Sequence, residues 1–213
     1  MALPDSPATA IDILLEPDAR MLERAEASNA RLLGVFPKGF PLDATHRPHV
    51  TLAQRFVRTA DLDKTYAAVE KVLAGTRLGD ISLEAVRYYY IPSQEIGLAG
   101  IVAKATPRIL ELQKALIEAV APFTVETGDS SAFFTTPDDP VIDPLLIQYV
   151  CAFVPKACGA QFNPHVTTGV ATRKYLDEML AEPFESFVFS FDGAAVYQLG
   201  QFGTAARRLK AWN

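Results

Sequence analysis

Cysteine, histidine, tryptophan and net positive charge are all scarce in this chain. Of 213 residues only two are cysteine, Cys151 and Cys158, and they form no Cys-x-x-Cys pair. Two thiols make no disulfide framework and match no common zinc or redox spacing, so they read as reduced thiols, one in a strand and one in a loop. Lysine and arginine number 20 against 25 aspartates and glutamates, for a net charge of −5. A protein that coats long duplex nucleic acid relies on many phosphate contacts from a basic face, so this charge excludes that class of partner. A small phosphate-bearing ligand, or an RNA end gripped locally, stays compatible. No apolar run reaches the length of a membrane span. The stretch Met1 to Ala10 has no basic run followed by an apolar one, so no signal peptide is read there. The expectation is a cytoplasmic protein without a membrane partner, monomeric by default. What the chain has in quantity is apolar surface, 49% of residues with 10% aromatic, enough for a sizeable packed core in one or two domains.

Only three histidines occur, His46, His49 and His165, and two of them lie in identical tetrapeptides: Pro48-His49-Val50-Thr51 and Pro164-His165-Val166-Thr167. The chance of this arrangement is on the order of one in a thousand at average residue usage. Both strings run on into apolar, strand-like segments. In a strand, residues i and i+2 share a face, so each motif sets one imidazole beside one hydroxyl. Two such strands facing one cleft would bring together two imidazoles and two hydroxyls. On the first strand, His49, Thr51, Ala53 and Arg55 fall on one face, and Val50, Leu52 and Phe56 on the core face.

The rest of the chain reads as alternating strands and helices. A short strand, Ala10 to Leu15, precedes a helical pattern from Pro17 to Leu33 that Gly34 caps. Residues 36–45 are a loop. Asp61 caps a helix over Leu62 to Leu73, closed by Gly75. Ile81 to Ile91 and Ile96 to Ala103 form a hairpin. Thr106 and Pro107 start a helix that Pro122 stops. The polar stretch Thr127 to Pro144 is a candidate lid or rim, and Leu145 to Val154 an apolar strand. After the second motif, Thr172 caps a short helix, and Phe184 to Leu199 reads as a second hairpin around Asp192-Gly193. The tail from Ala205 is uninformative. The order motif strand, helix, hairpin thus occurs at about 48–103 and again at 164–200. This internal repeat predicts an α+β fold of two similar lobes related by a pseudo-twofold axis, forming a single bilobal domain over 1–213.

Paired imidazoles suit one task. Near neutral pH one accepts a proton as a base while the other donates as an acid, the two services a phosphodiester needs at once. The Thr hydroxyls can donate to non-bridging phosphate oxygens. The scheme calls for no metal and no cofactor. His46 with His49 lacks a third ligand for a metal, and His46 is placed at the cleft mouth. Tyr197, Tyr90 and Tyr88 lie in strands from which an aromatic ring could stack on a nucleobase. Arg55 is read as solvated, and Asp43 as able to orient a histidine.

The doubled His-x-Thr, one in each half, resembles the 2H phosphoesterase superfamily, which includes the 2′-5′ RNA ligase-like proteins and the 2′,3′-cyclic nucleotide phosphodiesterases. The resemblance implies a duplicated fold with two antiparallel sheets flanking a central groove and helices outside. It implies His49 and His165 as the acid–base pair, Thr51 and Thr167 as phosphate anchors, and a nucleotide 2′,3′-cyclic phosphate or RNA end as substrate. An aliphatic residue after the Thr is common in that superfamily. Leu52 fits, whereas Thr168 and Gly169 depart. A nucleotide- or RNA-end-binding module with little catalysis is the alternative reading, and a cyclic sugar phosphate hydrolase a third.

Overall fold

The computed structural model describes residues 7–137 and 139–213. In chain order the strands and α-helices are β1 (Ala8–Pro17), α1 (Ala19–Val35), β2 (Val50–Arg58), α2 (Leu62–Ala74), β3 (Leu83–Ser93), β4 (Ile96–Ala103), α3 (Pro107–Val120), β5 (Thr124–Val125), α4 (Pro144–Ala157), β6 (His165–Thr172), α5 (Arg173–Leu180), β7 (Phe187–Phe189), β8 (Phe191–Leu199) and β9 (Ala205–Trp212). Several helix starts follow from their caps. The Thr106 hydroxyl accepts from Ile109 N with Pro107 in the first turn, and Thr172 does the same for Tyr175 N.

The strands form one antiparallel sheet in the order β7-β3-β4-β6-β2-β1-β8-β9, with β5 added on β2. Two separate sheets were expected. Instead two halves join at their centre through a single pair, Val50 opposite Val166. Each motif strand is therefore the innermost strand of its half. Helix α1 lies on β6, and α3 packs on α2 and β2. The largest core runs through both halves and includes Ile13, Val50, Leu52, Leu116, Val166 and Phe189.

Three expected elements are corrected, and the tail, uninformative in sequence, takes on a role. Leu145 to Val154 is helical, inside α4. Its Asp143 cap accepts from Leu145 N and Pro144 occupies the first turn, and a short apolar run does not separate strand from buried helix by itself. Cys151 is accordingly helical. Phe184 to Leu199 is not a hairpin: β7 pairs with β3, whereas β8 pairs with β1 and β9. The chain crosses from one half-sheet to the other at Ser190, which the Asp18 carboxylate holds through both its backbone N–H and its hydroxyl. The tail is an edge strand, β9. Gly34 lies inside α1 rather than capping it, and Pro17 ends β1, leaving Asp18 as the helix cap. The β3–β4 hairpin, α2, α3 and α5 stand where the sequence placed them.

A candidate active site at the seam of two half-sheets

Both motif strands carry a bulge at the same offset from the histidine. Against β1, Ile13 pairs with Ala53 and Leu14 with Thr51, so Leu52 is the extra residue. Against β4, Ala99 pairs with Gly169 and Gly100 with Thr167, so Thr168 is the extra residue. A bulge re-aims the side chains beyond it. Strict alternation therefore fails past Thr51: Gln54 lines the same cavity as His49 and Thr51, and Ala53 is core. Arg55 turns aside to donate to the Thr124 hydroxyl at 3.0 Å.

A buried amide from an overlying helix satisfies each bulge carbonyl. Gln113 of α3 donates to Leu52 O at 3.0 Å, and Asn29 of α1 donates to Thr168 O at 2.9 Å. The departure at Thr168-Gly169 is thus turned away from the cleft. The Thr168 hydroxyl meets Ser28 of α1, and Gly169 has φ +140, a backbone conformation that favours glycine, where a Cβ would lie 2.8 Å from the Asn29 amide.

His49, Thr51, His165 and Thr167 all line one cavity of about 520 Å³. Continuing the Val50–Val166 register by one residue each way sets His49 toward Thr167 and Thr51 toward His165. The two rings are locked identically. His49 Nδ1 lies 2.6 Å from Arg47 O, and His165 Nδ1 lies 2.8 Å from Asn163 O. In both cases the carbonyl is two residues back, across the motif proline. A carbonyl only accepts, so both Nδ1 atoms carry hydrogen and both Nε2 atoms are left for chemistry.

The surroundings of the two rings differ. Asp12 of β1, fully buried, accepts from the Thr51 hydroxyl at 2.6 Å and from Gln54 Nε2 at 3.0 Å, and the same oxygen lies 3.4 Å from His49 Nε2. Burial lowers the proton affinity of His49, but the hydrogen bond and charge of Asp12 outweigh it, so its pKa stands above the ordinary histidine value. Burial likewise lowers His165. The Asn163 carbonyl opposes this in part, the charge of His49 adds to it, the more distant charge of Asp12 opposes it again, and the net direction is down.

The weaker expectations divide. Tyr197 is buried in β8 behind the site, its hydroxyl 3.4 Å from Glu16, and Tyr90 reaches Asp177 of α5; neither lines the cavity. Tyr89 does, with its ring 5.4 Å from that of His165. Within Tyr88-Tyr89-Tyr90 strand alternation turns the middle ring inward, and nothing in the triplet itself says which of the three that is. His46 borders a smaller hollow beside His49, stacked 4.4 Å from Phe40, with its two nitrogens 3.2 Å from Asp43 and 3.3 Å from Asp139. Asp43 thus does orient a histidine, the non-motif one. Tyr149, Phe153 and Lys156 of α4 also line the cavity; reading α4 as a strand hid them. Their spacing of three to four residues was the available signal. Burial pushes the Tyr149 hydroxyl up to about 12 and the Cys158 thiol up to about 11, which leaves both protonated. Among the described residues no group of three His, Cys, Asp or Glu side chains is arranged to hold a metal, and no helix is long and apolar enough to cross a membrane.

The fold of two half-sheets, with a His-x-Thr strand from each at their seam, has counterparts among solved structures. TT0787 of Thermus thermophilus shares it with a TM-score of 0.57 at 16% identity, over 96% of this chain and 97% of that one. Escherichia coli LigT complexed with ATP aligns at a TM-score of 0.48 and 15% identity, over 97% and 98% of the two chains. Kluyveromyces marxianus Usb1 aligns at 0.46 and 12%, over 97% and 99%. No family model and no curated protein matches the chain.

Proposed function

We propose that this protein is a phosphodiesterase that opens 2′,3′-cyclic phosphates, or cleaves 2′-5′ linkages, of nucleotides or RNA ends by two-histidine acid–base catalysis. The observation that carries this reading is the pair of identically locked imidazoles at one cavity, each presenting Nε2. In the hydrolytic direction one Nε2 takes a proton from water as its oxygen attacks phosphorus. The phosphorus bond to one ribose oxygen breaks, and the other imidazole protonates that oxygen. Both proton transfers come from the chain itself. Around the phosphate position the cavity walls are apolar, with Leu98, Tyr149, Phe153 and Phe162 among them. Lys156 is the one lysine or arginine among the described lining residues. That composition fits a nucleoside carrying one phosphate better than a long polyanion.

The test is incubation with 2′,3′-cyclic mononucleotides and short cyclic-phosphate or 2′-5′-linked RNA in EDTA, between pH 5 and 8. Turnover is expected, and His49→Ala or His165→Ala should each lower kcat by about 10²–10⁴-fold with the fold intact. Binding of nucleotides without turnover on any substrate would instead mark a nucleotide-binding module.

A further inference from the structure

We propose that Asp12 sets the direction of catalysis: it is a positioning residue that fixes His49 as the proton donor and leaves His165 as the proton acceptor. The inference rests on the two-histidine reading and adds to it the asymmetry that the twin motifs lack.

Hydrogen counting carries the argument. His49 Nδ1 faces a carbonyl at 2.6 Å and its Nε2 faces a carboxylate oxygen at 3.4 Å. Both partners are acceptors, so the ring suits its surroundings best with a proton on each nitrogen. His165 Nδ1 faces a carbonyl at 2.8 Å, and among the described residues no carboxylate contacts its Nε2. That nitrogen keeps its lone pair. The carboxylate is held for this purpose, since Thr51 and Gln54 donate to the oxygen that faces His49. A fully buried carboxylate needs a cation, and among the described ion pairs His49 is its partner.

The register shows where the asymmetry enters. Asp12 pairs with Gln54, five residues after His49; Leu98 pairs with Val170, five residues after His165. Leu98 is thus the counterpart of Asp12 in the other half. One half places a carboxylate behind its imidazole and the other places a leucine. The remaining charged or titratable neighbours do not cancel this. Glu16 of β1 acts on His49 in the same sense as Asp12. Tyr89 of β3 lies against His165, and Tyr149 of α4, Asp143 and Lys156 stand on the cavity wall. The opposite pKa directions of the two rings agree with the geometry.

The experiment is a histidine NMR titration beside a pH profile of kcat/KM, on the full chain and on Asp12→Asn and Asp12→Glu. With three histidines, a His46→Gln background leaves two signals to follow. With Asp12 in place His49 should titrate at higher pH than His165. The rate should rise as His165 loses its proton and fall as His49 loses its own. Asp12→Asn should move the His49 titration and the alkaline limb down together by about one pH unit, and the acid limb by less, because Asp12 acts on His165 through its charge alone and on His49 through a hydrogen bond as well. Asp12→Glu should restore part of the shift. A chain retaining Asp12 in which His49 titrates at or below His165, or an Asp12→Asn limb that stays in place, overturns the proposal. The titration needs no substrate for the first of these outcomes. Failure of all substrates therefore sinks the phosphodiesterase reading without deciding the role of Asp12.

Discussion

Thr51 and Thr167 sit at the same offset from a histidine on equivalent strands, yet they do not carry the same capacity. A hydroxyl has one hydrogen to give. That of Thr51 is directed to Asp12 at 2.6 Å, whereas among the described residues no acceptor engages Thr167. On the proposed phosphodiesterase reading, Thr167 is therefore the hydroxyl that would meet a phosphate oxygen. Thr167→Val is expected to lower kcat/KM by about 10²-fold without moving the pH profile. Thr51→Val, which deprives Asp12 of a donor, should shift the alkaline limb as well as the rate; parallel pH profiles of the two variants check this. The four motif residues were legible because a period of two needs no tertiary knowledge. Asp12 was not, because an aspartate in the apolar run Ala10 to Leu15 declares its purpose only when its strand neighbours are known. Phe202 carries no sequence signal either, and it stands on the cavity wall with φ 60, a conformation uncommon for a bulky residue and characteristic of functional sites.

At the scale of elements, the device that aims the site is the pair of bulges, each pinned by an amide from a helix. Gln113 is 1% exposed and serves two backbone groups, donating to Leu52 O and accepting from Gly159 N at 3.0 Å. Gln113→Leu leaves the Leu52 carbonyl without a partner in the interior, whereas exposed Gly159 can turn its N–H to water. A loss of about 1–3 kcal/mol for the orphaned carbonyl is expected, measured as a lower urea midpoint with an unchanged slope. A rate loss should accompany it, because Leu52 lies next to Thr51. Helix α4 shows the other side of legibility. Its apolar residues read as a strand, and what decides for the helix is the Asp143-Pro144 start, a local signal that the strand reading passed over. The supposed second hairpin failed for a different reason. Asp192-Gly193 is a turn signal in isolation, but β7 and β8 each find a longer partner strand elsewhere, and tertiary pairing overrides turn propensity.

For the molecule as a whole, the site exists because two half-sheets meet along β2 and β6 and α4 walls the seam. Tyr149 lines that cavity from α4, outside both motifs. Tyr149→Ala is expected to raise KM for a cyclic nucleotide several-fold and leave kcat within a factor of a few, since it removes wall area and no proton carrier; steady-state kinetics on the variant separates the two. Composition and the repeated tetrapeptide were enough to indicate the α+β class and to single out two imidazoles and two hydroxyls that line one cavity, because strand alternation and residue chemistry are local properties. The sequence could not show the single continuous sheet, the inward Tyr89 in place of Tyr90 and Tyr197, or the carboxylate behind one histidine only. Those depend on which strand lies beside which and where a bulge resets the phase. Pairing of residues distant in the chain fixes both, and only the folded protein contains it.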